Sequence, residues 1–229
     1  AIAAALATSD SAVPRPVAPP AVSANENRTA AGVTKGGRLE VSLEVREGEW
    51  HPYGPQGPAV RILAVGETGK PLETPGPMIR VKEGARVHVR VINTANGTLV
   101  VHGLTARHTT MPDTLVVPAG ATRDVTFTAD AQGTYFYWGT TTGVGFSGRL
   151  YEDAQLNGAL IVDPPTGTPK PDRVFVIQWY LPRSVPPDTA ADAINGFFTF
   201  NGMPWPNTER LKYAQGDSVQ AALHDRQHF

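Results

Sequence analysis

The 229 residues contain no cysteine. Disulfides, thiolate metal sites and a cysteine nucleophile are thereby excluded. The redox compartment stays open, since an exported protein can lack bridges. Charge is sparse as well: charged residues make up 18% of the chain, with a formal net charge of −1. Without a basic excess to neutralise phosphates, nucleic acid is not expected as a partner. No apolar run approaches the ~20 residues of a membrane-spanning helix. No ten-residue window shows convincing helical periodicity, and the composition is wrong for a coiled coil or long bundle.

Glycine (23) and proline (21) are plentiful, together above the ~12% usual in globular chains. They punctuate short alternating segments. Leu39, Val41, Leu43 and Val45 alternate with Glu40, Ser42, Glu44 and Arg46, the period of two of a half-buried strand. Val87, Val89 and Val91 alternate with His88 and Arg90. Leu99 to Leu104 is a further apolar segment, and Asn96-Gly97 before it predicts a hairpin turn. Val125 and Phe127 follow a Pro118-Ala119-Gly120 turn; Tyr135 to Trp138 and Ala159 to Val162 complete the set. Many short strands with turns at this spacing predict an antiparallel sandwich or barrel.

At the N-terminus, Ala1-Ile2-Ala3-Ala4-Ala5-Leu6-Ala7 reads as a signal-peptide remnant with an A-x-A-like cleavage site, or as an Ala-rich tail. Export, secreted or periplasmic, is the expectation. Residues 11 to about 37 are rich in Pro, Ala, Ser and Gly and read as a flexible linker. Asp163 to Asp172 reads as an interdomain linker, after which Val174-Phe175-Val176-Ile177 predicts a new strand. Ile79 to Gly84 recurs at Leu211 to Gly216, with Val87 over Val219, an offset of 132 residues. Such a period predicts two tandem β domains of one type. A second unit of equal length would reach about residue 297, so the chain is read as a truncation or a frame-shifted end. The expected division is 1–37 leader remnant and linker, 38–165 one β domain, and 166–229 linker plus the start of a second.

Several stretches, in order and spacing, resemble the multicopper oxidase family. Thr74-Pro75-Gly76-Pro77-Met78-Ile79-Arg80-Val81 with Gly84 is similar to the opening of that family's first cupredoxin domain. Val101-His102-Gly103-Leu104 is similar to its His-x-His-Gly strand. Gly133-Thr134-Tyr135-Phe136-Tyr137-Trp138 resembles the strand leading to a second His-x-His, and Gly158 to Pro164 the domain exit. Asn195 to Gly202 and Trp205-Pro206 through Asp217 look like the start of a later cupredoxin domain. The resemblance implies an all-β, cupredoxin-like Greek-key β-sandwich followed by a partial second β domain. It also implies copper, a small-molecule reductant and O2 in an intact parent, and the rest of a larger multidomain chain as partner.

Two His-x-His strands place imidazoles on one face, because side chains repeat every second residue. Here the first motif reads Val100-Val101-His102 and the second Trp138-Gly139-Thr140. One of four ligand positions, His102, keeps a histidine and is the candidate metal ligand; a structural role is the alternative. The electron-entry copper of the family uses cysteine, which this chain lacks. The expected activity, oxidation of a reductant coupled to O2 reduction, is therefore assigned to the parent and not to this chain alone. The alternative is a non-catalytic binding or structural β-sandwich.

The other candidates read more simply. His108 is expected as an exposed loop residue, His51 as a turn residue before Pro52, and His88 as solvent-facing; His224 and His228 lie in the tail. Tyr135 to Trp138 are expected mainly as core. Glu152 and Asp153 read as a solvated acidic loop. Gly143 to Gly148 has no following helix or lysine and is not a phosphate loop. Asn27-Arg28-Thr29 and Asn96-Gly97-Thr98 fit a glycosylation pattern.

Overall fold

The computed structural model describes residues 18–149, 151–167, 172–181 and 196–217. The leader-like start, Asn195, Val219 and the tail with His224 and His228 lie outside the described residues. The strands are β1 (Ala21–Ala24), β2 (Val33–Lys35), β3 (Arg38–Trp50), β4 (Val60–Glu67), β5 (Leu72–Thr74), β6 (Gly76–Lys82), β7 (Arg86–Asn93) and β8 (Leu99–His102). They continue with β9 (Leu115–Val117), β10 (Thr122–Thr128), β11 (Gly133–Thr140), β12 (Asn157–Asp163), β13 (Ile177–Tyr180), β14 (Phe197–Phe200) and β15 (Met203–Pro204).

One sheet runs β1-β5-β4-β3-β7-β10, with β2 added on β3; the facing sheet runs β6-β12-β11-β8-β9. From β5 to β11 the chain changes sheet at every connection except β8–β9. That is the Greek-key sandwich the resemblance implies. The expected alternation is present. Leu39, Val41, Leu43, Val45, Val87, Val89 and Val91 are buried, and they meet Ile79, Leu99, Val101, Tyr137, Leu160 and Val162 of the second sheet in one core. Burial of such side chains is worth roughly 1.5–3 kcal/mol each, which is why register is firmly set wherever one face is core.

The Asn96-Gly97 expectation is corrected. β7 and β8 lie in different sheets, so the turn is an arch between layers and not a hairpin. Its cause is Asn93, fully buried. The Asn93 amide donates to the Gly97 and Val117 carbonyls (2.8 and 2.9 Å) and accepts from the Ala95 N–H. A buried amide with three partners fixes this crossing more firmly than turn propensity could.

The segment 18–37, expected as linker, instead carries β1 and β2. β1 runs parallel to β5 and to the end of β3, and Val22 joins a cluster with Trp50, Ile62, Ala64 and Leu72. The approach needs Gly48, where a Cβ would stand 2.5 Å from a Val22 methyl. A lone Val among Pro, Ala and Ser carries no periodicity, so nothing local announced it.

The predicted strand at Val174 starts later, at Ile177. Val174 and Val176 pack irregularly on Met78, Ala159 and Ile161. The internal repeat holds at its turn: Ala85 N–H to Lys82 O and Asp217 N–H to Ala214 O are both 3.1 Å. Gly84 and Gly216 are both left-handed in these turns, as a glycine permits. Residues 211–214, the counterpart of β6, are not in a strand, and Leu211 and Tyr213 are exposed.

β13-β14-β15 form a small antiparallel sheet bolted to the sandwich. Trp50 Nε1–H donates to Gly202 O (3.2 Å) and meets Tyr180 edge to face at 5.6 Å. Asn27 Nδ2 donates to Asn201 Oδ1 at 2.9 Å. This buries Asn27, so the first glycosylation triplet is not presented at the surface. Arg80 forks onto Asp163 with two 2.8 Å bonds and reaches Asp172 at 2.8 Å, tying the domain exit to the segment beyond it.

Candidate functional site

The four pattern positions lie on adjacent antiparallel strands. Trp138 pairs with His102, Gly139 with Val101, and Thr140 with Val100. Positions 100, 102, 138 and 140 therefore form two facing pairs on the outer side of the sheet, while Leu99, Val101, Tyr137 and Gly139 point into the sandwich.

His102 is half-buried. Its Nδ1–H donates to the Asp113 carbonyl at 2.6 Å. A neutral imidazole so engaged has its lone pair on Nε2. The Asp113 carboxylate takes the Gly103 N–H at 2.7 Å, so one residue pins both His102 and its neighbour. Gly103 has φ +84°, and a Cβ there would stand 2.3 Å from the Phe136 carbonyl. Only glycine fits beside β11.

Trp138 stacks on the His102 ring, with centroids 4.2 Å apart and planes 18° from parallel. Phe146, half-exposed on the 3-10 turn Phe146–Gly148, meets Trp138 at 5.6 Å and Phe136 at 5.0 Å. Of the aromatic run expected as core, only Tyr137 is buried; its hydroxyl donates to Pro77 O at 2.8 Å, and burial pushes its phenol pKa up. Alternation sends Phe136 and Trp138 to the other face.

Two buried charges beside this face were not anticipated. Arg149 is 7% exposed. Its Nη1 donates to the carbonyls of Gly139, Asp153 and Leu156 (2.9, 2.8 and 3.1 Å). Its guanidinium lies 4.8 Å from the Trp138 ring centre and 5.2 Å from that of Phe146. Burial lowers its pKa to about 10, against the opposing charge of Asp153, so it stays a cation at neutral pH. Asp153, expected in a solvated loop, is 2% exposed. It accepts from the hydroxyls of Thr140, Thr141 and Thr142 and from the N–H groups of Thr141 and Thr142, at 2.7–3.2 Å. The run Thr140-Thr141-Thr142, three adjacent hydroxyl donors at a strand end, was the available signal for a buried acceptor. Arg149 had none.

The other described histidines read as expected or nearly so. His108 is exposed beside Asp130 (3.4 Å). His51 bridges Gly57 O and Glu49, both at 3.1 Å, and the Glu49 carboxylate raises its pKa. His88 is on the outer face but bridges Glu40 at 2.5 Å and Asp124 at 3.0 Å across strands. A cleft of about 220 Å³ between residues 25–31 and 67–77 shares no lining residue with the His102 face.

Fold and strand pattern define a cupredoxin-like sandwich, and comparison with known proteins finds its likenesses among multicopper oxidases. The multicopper oxidase family model matches residues 71–167. The chain is similar to L-ascorbate oxidase of Cucurbita maxima, 38% identical over 106 residues, which cover 42% of this chain and 17% of that enzyme. It spans only about a sixth of that relative's length. The copper nitrite reductase of Nitrosomonas europaea superimposes with a TM-score of 0.51 at 29% identity, covering 72% of this chain and 57% of that one. The multicopper oxidase mgLAC superimposes with a TM-score of 0.55 at 22% identity, over 79% and 58% of the two chains; this last likeness concerns the fold alone. The chain thus has a multicopper-oxidase-like cupredoxin fold, and that family implies copper.

The residues present do not fit a copper centre. Among the described residues, no group of three or more His, Cys, Asp or Glu side chains could hold a metal. Val100 has no ligand atom, Trp138 offers only an N–H donor, and the Thr140 hydroxyl is committed to Asp153. His102 offers the single atom Nε2. No helix among the described residues is long and apolar enough to cross a membrane.

Proposed function

We propose that this chain is part of an exported, secreted or periplasmic, multicopper-oxidase-like protein. In that protein a small reductant is oxidised and O2 is reduced, and this chain alone is inactive. The observation that carries the reading is the pairing of Trp138 with His102 and Thr140 with Val100 inside a stretch that matches the family model. The strand frame of a copper site is kept while three of its four ligand positions are not. Copper in the intact protein would then depend on residues outside this chain. Residues 38–165 serve as scaffold, 166–229 are linker and the start of a second cupredoxin-like domain, and the partner is the rest of a larger multidomain chain.

The second reading, a non-catalytic binding or structural module, is favoured by the same loss of ligand positions. Phenol and diamine oxidation by the whole chain, after copper loading and gel filtration, decides the first point. Turnover is expected to match a buffer control carrying the same copper. Turnover well above that control, with stoichiometric metal, would sink the proposal of inactivity.

A further inference from the structure

The outer face of β8 and β11 does more than lack ligands. We propose that it is built to exclude copper: the Arg149 guanidinium is its resident cation, and His102 is a stacking partner of Trp138, not a metal ligand, in this chain.

Three observations carry this. Trp138 is the direct cross-strand neighbour of His102, and its ring lies flat on the imidazole at 4.2 Å. The space into which a second imidazole would project is filled by indole. Arg149 reaches the Trp138 ring from the β12 side, where its Nη1 is held by the Leu156 carbonyl. Aromatic faces carry negative potential and attract a cation, so Trp138 and Phe146 receive the guanidinium where solvent does not. Finally, the Arg149 charge is fixed. Three carbonyls hold one nitrogen, the group is buried, and its Nε has no partner among the described residues. A divalent ion on this face would be repelled by the like charge held against the Trp138 ring, with one imidazole to hold it.

The inference does not depend on the oxidase reading: a chain that bound copper through His102 without turnover would overturn it and leave the proposed inactivity standing. The test is equilibrium dialysis of the whole chain against Cu(II), with bound metal and its EPR spectrum as readouts. The wild-type chain is expected to retain no equimolar copper against a chelator wash, and His102→Ala to change nothing. A double variant, Val100→His with Trp138→His, sets three imidazoles on two facing strands. It spares Thr140 because Asp153 needs that hydroxyl. It is expected to bind one Cu(II) at least about a hundredfold more tightly than wild type, with nitrogen hyperfine structure. Adding Arg149→Gln should tighten binding by about a further tenfold. Equimolar copper on the wild-type chain that His102→Ala removes would overturn the proposal, whether or not the double variant folds. Unchanged affinity on adding Arg149→Gln would overturn the role of Arg149.

Discussion

The inner and outer faces of β8 and β11 share one backbone and one register, yet they have diverged in opposite ways. Inside, Leu99, Val101 and Tyr137 are buried in the common core, and Gly139 lets Leu99 come close: a Cβ there would lie 3.0 Å from Leu99 Cδ1. Outside, the positions that would carry imidazoles in the family pattern hold Val100, Trp138 and Thr140, with His102 alone. The inner face answers to packing, where each lost methylene is felt. The outer face answers to chemistry, and once that is relinquished other side chains can occupy it without disturbing the sheet. Fold and function are thus separable at a spacing of one residue.

If that contrast is right, the largest effect should come from the inner face. Leu99→Ala removes a side chain with no exposed surface and should cost about 2–5 kcal/mol, read from the denaturant midpoint. A loss under about 1 kcal/mol would mean that the inner face does not carry the packing. Next comes Asp153→Asn, at the margin of the outer face. The amide can accept on only one atom and turns its NH2 toward hydroxyl and N–H donors that the carboxylate satisfied. A buried group left with unmet partners costs about 1–3 kcal/mol, so the expected loss is about 2 kcal/mol. Stability equal to wild type would show the threonine knot to be incidental.

The same contrast explains what could be read from the amino-acid order. Leu39 to Val45 and Val87 to Val91 declare themselves because a period of two with one buried face is a local pattern. The His102 and Trp138 positions were legible because strand alternation places them opposite each other once the pairing is assumed. Arg149 and Asp153 were not, since their roles arise from contacts across turns. An arginine in a glycine-rich loop and an acid beside Glu152 look like solvated residues until the carbonyls of Gly139 and Leu156 and the three threonines close around them. Asn93 is the same case for the fold. Its neighbours Asn96-Gly97 suggest a hairpin, and only its bond to Val117 O, from a distant strand, shows that the chain changes sheets there.

The smallest expected effect separates the two faces by acid. Residues 103–113 hold His102 in place through Asp113, and this loop is anchored by Asp130, which accepts the N–H groups of Arg107 and His108 at 2.6 and 3.0 Å. Burial pushes the Asp130 carboxyl up, but these backbone donors outweigh it and hold it below its ordinary 3.8. Because the folded-state value is depressed, the anchor's contribution is complete above 3.8 and is lost as pH falls through the lower, folded-state value. An NMR titration should therefore move the Arg107 and His108 amides with a midpoint below 3.8, while the Leu99 and Val101 methyls on the inner face stay still. Asp130→Asn should abolish that transition. A midpoint at or above 3.8, or inner-face methyls that shift together with the loop, would mean that the two faces do not respond independently.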